Sequence, residues 1–239
     1  MTTTRSGPMR LFSGRLSMFG AKTQIAVLEK GLDFELVMVP FEVAYEPKHP
    51  EVLRINPKQQ VPILIHGDLE IFDSTQIFEY LEDLQPDPPL WPEGPAARAR
   101  ARLLELKSDE VFFPNVIRLM GLQSSPQDPG ATAARCAAAR YYDGMESLLA
   151  DREFLAGTYS FADIAFYMAQ LFGARMGAPM TEATPRLLRW RDRMTARPAV
   201  RSGVGPMTAF LRARGRPVPD FLSSALPSRP ADLATQERA

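Results

Sequence analysis

Residues 86–95, Pro-Asp-Pro-Pro-Leu-Trp-Pro-Glu-Gly-Pro, constrain this chain more than any other stretch. Proline lacks a backbone N–H and fixes φ, so such a run neither continues a helix nor enters the interior of a sheet. It divides the sequence into halves with different periodicities. Before it, apolar runs of strand length alternate with helical patterns; after it, every pattern reads helical. At 239 residues the chain is long enough for two small domains sharing an interface.

In the first half, residues 9–13 are a short strand candidate ending at Gly14, and residues 18–30 read as a helix stopped by Gly31. Ile25 and Leu28 share a face of that helix. Residues 34–39 form a second, near-continuously apolar strand that ends at Pro40. This β-α-β order predicts a parallel pair joined by a right-handed crossover. A helical turn over 51–55 precedes two strands, 62–66 and 69–72, joined at Gly67-Asp68. Asp73 or Ser74 then caps a helix with Ile77, Leu81 and Leu84 on one face. The expected organisation is an α/β unit over 9–85, the linker 86–95, and an all-α unit over 96–214. In the latter, helices fall at 96–122 (kinked at Pro114), 131–150, 160–176 and 185–197, with a loop at 124–130. The tail, 215–239, is rich in Pro, Ser and charge and is expected to be extended or mobile.

Composition narrows the function classes. Lys+Arg and Asp+Glu are both 28, so no bulk field favours nucleic acid or an anionic membrane. No run approaches the roughly 20 apolar residues that span a bilayer, and residues 1–8 lack the apolar stretch of a secretory signal. Cys136 is the only cysteine, which excludes an internal disulfide and fits a reducing, cytoplasmic setting. With only His49 and His66 besides, no protein metal site is expected.

Three local features bear on chemistry, and each has two readings. Ser17 lies between a strand and the helix it opens, so it is an N-cap. The same helix N-terminus also stabilises an anion such as a thiolate, to which a hydroxyl donates. Val61-Pro62 begins a strand and marks an edge, or is a cis peptide presenting the Val61 backbone to a peptide ligand. Asp73-Ser74 is a cap, or a carboxylate and hydroxyl that hold the ammonium and carboxylate of an amino-acid moiety.

Taken in order, the segments are strand, Ser17, helix, strand, Asn56-Pro-Lys-Gln-Gln-Val-Pro62, strand, Asp73-Ser-Thr-Gln-Ile-Phe-Glu-Tyr-Leu81, proline linker and helices. This series resembles the glutathione transferase superfamily, over roughly residues 9–210. The segment from Ser17 to Leu32 is similar to the serine-type helix of theta, zeta and bacterial theta-like members. Phe154-Leu-Ala-Gly-Thr-Tyr-Ser-Phe-Ala-Asp-Ile164 is similar to the family's capping-box segment, and Ala196-Arg-Pro-Ala-Val200 is another family sequence.

The resemblance implies a thioredoxin-like N-terminal domain followed by an all-helical C-terminal domain, and a cytoplasmic homodimer. It implies glutathione as co-substrate and a small hydrophobic electrophile as its partner, with neither nucleic acid nor membrane involved. Ser17 would activate the thiol, Val61 before a cis-Pro62 would pair with the cysteinyl unit, and Asp73 and Ser74 would bind the γ-glutamyl end. The family more often has Glu where this chain has Asp73. Gln60 falls near the glycyl end, and Lys48 would supply positive charge there. Met18, Phe19, Phe112, Phe113 and Met120 are candidate walls of the electrophile pocket, or core residues. Phe12 has no hydroxyl where tyrosine-type relatives place a phenol; Ser13, inside the strand, competes with Ser17. With Cys136 in the helical half, thioltransferase chemistry is disfavoured. Conjugation, dehalogenation, ether cleavage and isomerisation all begin from the same thiolate. The alternative is a non-catalytic glutathione-binding or protein-interaction module of the same fold.

Overall fold

The computed structural model describes residues 7–41 and 45–225. Strand β1 (Met9–Gly14) runs through the middle of a four-stranded sheet, and its side chains alternate between two cores. Met9 and Leu11 face the main core, while Phe12 joins Val39, Val52, Ile63 and Ile65 in a smaller one on the other side. Helix α1 (Met18–Glu29) carries the chain to β2 (Glu35–Val39), which pairs parallel to β1. Helix α2 (Pro50–Ile55) contributes Val52 to the smaller core. The hairpin of β3 (Ile63–His66) and β4 (Leu69–Phe72) then adds on antiparallel, giving the order β2-β1-β3-β4. Gly67, at φ 62°, makes the reversal. Helix α3 (Ser74–Leu84) closes this thioredoxin-like unit by burying Ile77, Phe78 and Leu81.

The linker is a wedge rather than a spacer. Leu90 and Trp91 are buried, Trp91 packing edge-on to Phe161 at 4.8 Å while Phe78 stacks on the same ring at 4.3 Å. The Glu82 carboxylate accepts from the Leu90 and Trp91 backbone N–H groups at 3.0 and 3.1 Å and from the Lys30 ammonium.

Beyond it lie α4 (Pro95–Lys107), a π-helical turn (Ser108–Phe112) and α5 (Phe113–Gly121). The long helix expected over 96–122 is thus two helices. Pro114 lacks the N–H that would continue the ladder, and the preceding turn widens to accommodate it. Helices α6 (Pro129–Leu148), α7 (Phe161–Arg175) and α8 (Pro185–Ala196) follow. Helix α9 (Pro198–Ala213) completes the expected all-α unit despite Gly203, Gly205 and Pro206 inside it, and α10 (Asp220–Ala225) interrupts the stretch from 215 expected to be extended or mobile. At Gly203 α9 crosses α1 so closely that a Cβ would come within 2.5 Å of Ile25. Residues 226–239 of the expected tail lie outside the described residues.

Helix α7 is buried from Phe161 to Gly173, and the Asp163 carboxylate fixes its start. That carboxylate accepts from the Ser160 N–H and hydroxyl, both at 3.0 Å, from the Leu155 N–H at 2.9 Å, and from the Trp190 indole at 2.8 Å. An amide in its place turns a donor toward these donors. Asp163→Asn is therefore expected to cost about 1–3 kcal/mol, read as a lower denaturation midpoint in urea. An unchanged midpoint would show that the four bonds carry no net stability.

Candidate functional site

Between β1 and α1 the chain makes a tight turn in which the Ser17 N–H donates to the Gly14 carbonyl at 3.0 Å. Ser17 caps α1, its hydroxyl oxygen accepting from the Gly20 N–H at 3.0 Å. An accepting hydroxyl keeps its own hydrogen, and that of Ser17 is committed to no described partner. Capping and donation to a ligand are therefore compatible. Gly20 permits this packing, since a Cβ there would lie 2.2 Å from the Ser13 hydroxyl. Ser13 itself is buried beneath the helix start and lines neither cavity described below.

Two cavities adjoin at Phe19, Gln60 and Val61. The first, about 280 Å³, is mostly apolar: Met18, Phe19, Phe113, Ile117, Met120 and Phe172 line it, with Ser17, Tyr45, Lys48 and His49. The second, about 340 Å³, is polar, lined by Asp73, Ser74, Thr75 and Gln76 on one side and Glu105, Asp109 and Glu110 on the other. The Val61–Pro62 peptide is cis and lies where the cavities meet. Asn56 holds the approach to it, donating to the Gln60 carbonyl at 2.6 Å and accepting from the Lys58 N–H at 2.9 Å.

Asp73 caps α3 from an unusual backbone, φ 77° and ψ 126°, its carboxylate accepting from Thr75 N–H at 3.0 Å and, more weakly, from Gln76 N–H at 3.4 Å. A non-glycine residue in that region costs roughly 1–3 kcal/mol and is typical of ligand-holding segments. Ser74 is buried beside it, facing the polar cavity. Lys48 lies at the opposite end, lining the apolar cavity and paired with Glu46 at 3.4 Å. Asp73 and Ser74 thus line the polar cavity, Ser17 and Lys48 the apolar one, and Val61 both, so the two make up one cleft.

Of the expected wall residues, Met18, Phe19, Phe113 and Met120 line the apolar cavity. Phe112 does not. It is fully buried among Tyr141, Tyr142 and Phe166, with ring centroids 5.2–5.4 Å away. Successive helical residues point roughly 100° apart, so the cavity takes only one of the pair. Phe113 takes that place, edge-on to Phe19 at 5.4 Å.

Sequence reasoning missed the floor of the polar cavity. Lys22 is completely buried and donates to Glu105 at 2.8 Å and to Asp109, while the Thr75 hydroxyl donates to Glu105 at 2.9 Å. The other Asp109 oxygen is buried without a partner. Burial, partly offset by Lys22, raises the Asp109 carboxyl to about 6. A lysine amid the apolar positions of α1 was the available signal, because a buried ammonium demands carboxylates. Among the described residues no group of His, Cys, Asp or Glu could hold a metal, and no helix is long and apolar enough to cross a membrane.

The family description "Glutathione S-transferase, N-terminal domain" matches residues 7–83, and "Glutathione S-transferase, C-terminal domain" matches 111–198. A probable glutathione S-transferase of Oryza sativa subsp. japonica is 32% identical over 198 residues, covering 74% of this chain and 81% of the relative. The chain belongs to the glutathione S-transferase superfamily.

Other relatives match in part. A stringent starvation protein A homolog of Pasteurella multocida is 35% identical over 106 residues, 44% of this chain, so the chain spans about half that relative's length (48%). Among solved structures, a glutathione S-transferase of Methylobacterium radiotolerans, in complex with glutathione sulfonate, is 28% identical with a TM-score of 0.70, covering 83% of this chain and 95% of its own. In this glutathione S-transferase superfamily member the apolar and polar cavities both lie where the sheet unit meets the helical unit. Tyr45, His49, Ile117 and Phe172 line the apolar one without having been foreseen from the sequence.

Proposed function

We propose that the protein binds glutathione extended along this cleft and that Ser17 activates its thiol for attack on a small apolar electrophile. The observation that carries the reading is the Ser17 hydroxyl, hydrogen uncommitted, at an α-helix N-terminus that lines the apolar cavity beside its junction with the polar one. In this reading residues 9–85 hold glutathione and 96–214 supply the far wall. The γ-glutamyl ammonium lies at Asp73, within the field of the Asp109 carboxylate, and its carboxylate at Ser74 and the α3 N-terminus. The Val61 backbone takes the cysteinyl unit, and Gln60 and Lys48 take the glycyl carboxylate. The Methylobacterium radiotolerans relative, crystallised with glutathione sulfonate, supports glutathione as the ligand. Exposed Phe72, Leu103, Leu106 and Val111 are the apolar surface we assign to a homodimer contact in a cytoplasmic enzyme.

Calorimetric titration with glutathione and turnover of an electrophile panel (alkyl halides, enones, aryl ethers) test this. Binding is expected to weaken as pH falls through about 6, because protonated Asp109 no longer attracts an ammonium that stays charged. Absence of binding at neutral pH would sink the reading. The match to a relative not named as a transferase, a stringent starvation protein A homolog, leaves room for a second one, a non-catalytic binding module. Glutathione binding with no turnover across the panel would select it.

A further inference from the structure

Tyr45 reaches the apolar cavity from the segment after β2, and its phenol oxygen accepts from the Leu16 N–H at 2.7 Å. Leu16 is the neighbour of Ser17 in sequence, so this hydroxyl stands next to the thiol-activating turn. The ring is held firmly. It packs edge-on to Phe41 at 4.6 Å, and it lies so close to Gly14 that a Cβ there would come within 2.4 Å of it. A phenol that accepts one hydrogen bond still has a hydrogen to donate, and that of Tyr45 meets no described residue. Burial pushes the phenol up to about 12, so it stays a neutral donor at any physiological pH. The Arg175 guanidinium, stacked over Phe172 at 4.9 Å, acts electrostatically on the same hydroxyl.

From this geometry we infer that the apolar cavity selects sulfur substituents and electrophiles bearing an acceptor oxygen, met by the Tyr45 hydroxyl. This rests on the glutathione reading above and narrows its substrate class to activated carbonyl compounds such as enones. When a thiolate adds to an enone, the sulfur electron pair forms the C–S bond and the π electrons shift to the carbonyl oxygen. The enolate oxygen so formed accepts the Tyr45 hydrogen bond until solvent protonates the α-carbon. Ser17 serves the sulfur; Tyr45 serves the oxygen. Of the other polar residues that line the cavity, Ser17 is given to the sulfur and Gln60 and Lys48 to the glycyl carboxylate, so Tyr45 competes for such an oxygen with His49 and Gln59 alone.

The test compares two ligands of nearly equal shape, S-phenacylglutathione with a carbonyl and S-(2-phenylethyl)glutathione without one, on wild type and Tyr45→Phe. Wild type is expected to bind the phenacyl conjugate roughly fivefold more tightly, the worth of one neutral hydrogen bond. Tyr45→Phe is expected to abolish that preference, while any cost of the unpaired Leu16 N–H falls equally on both conjugates. Equal binding of both conjugates by wild type overturns the inference, as does a preference that survives in Tyr45→Phe. A parallel loss of both conjugates with their ratio unchanged in the variant also overturns it, by making Tyr45 a strut for the Ser17 turn. If free glutathione binds and neither conjugate does, the inference fails while the glutathione site stands. If glutathione itself does not bind, both fail.

Discussion

Replacing Ser17 by alanine is expected to raise the thiol pKa of bound glutathione by about one to two units, at about 1.4 kcal/mol per unit. A free thiol has a pKa near 8.5, so at neutral pH only a few per cent of free glutathione is thiolate. The α1 N-terminus and the Ser17 hydroxyl both favour the anion, and alanine removes the second of these while leaving the helix in place. Turnover at neutral pH should fall by roughly eight- to twenty-fivefold, in proportion to the lost thiolate fraction. Ultraviolet titration of the bound thiolate measures the pKa directly. An unchanged pKa and rate would remove Ser17 from the mechanism. The cap is lost too, at about 1 kcal/mol of stability. Ser17→Thr, which keeps both the cap and a hydroxyl, should therefore restore most of the pKa effect, whereas a purely stabilising role would leave the pKa unmoved in both variants.

Lys22→Met is the second large expectation, and it concerns stability first. Lys22, fully buried, is the cation for Glu105 and Asp109, which come from α4 and the π-helical turn. Methionine fills similar volume but leaves two carboxylates facing each other without a counter-charge. Breaking a buried pair in this way costs about 3–5 kcal/mol. The expected readout is a large fall in the denaturation midpoint, partly recovered when Glu105→Gln and Asp109→Asn are added, since uncharged partners need no cation. A midpoint that does not move in Lys22→Met would mean that the carboxylates are already neutral in the folded protein.

The sheet unit was legible because its elements are short and sharply punctuated. Gly14, Gly31, Pro40 and Gly67 stand at or just beyond the strand and helix ends that they predict. Ser17, Val61-Pro62 and Asp73-Ser74, singled out in the sequence, all line the two adjoining cavities. The helical half was harder. Residues 198–213 carry two glycines and a proline inside a helix, tolerated because Gly203 buys close packing against Ile25. Phe112 and Phe113 are equivalent in composition and adjacent in sequence, and only the break before Pro114 decides which faces the cleft. Tyr45, Lys22 and Asp109 were hidden for a different reason. Their roles depend on partners 29, 83 and 87 residues away in the chain, and no local pattern reports such contacts.

The linker carries a lesson for recombining such proteins. Trp91 is wedged against Phe161 of the helical half, while its N–H and that of Leu90 are bound by Glu82 of the sheet half. A chimera spliced at the proline run, the obvious seam in the sequence, would split a socket made of three parts from different origins. Halves taken from two relatives would join well only if the tryptophan, its acceptor carboxylate and the receiving ring were transplanted together.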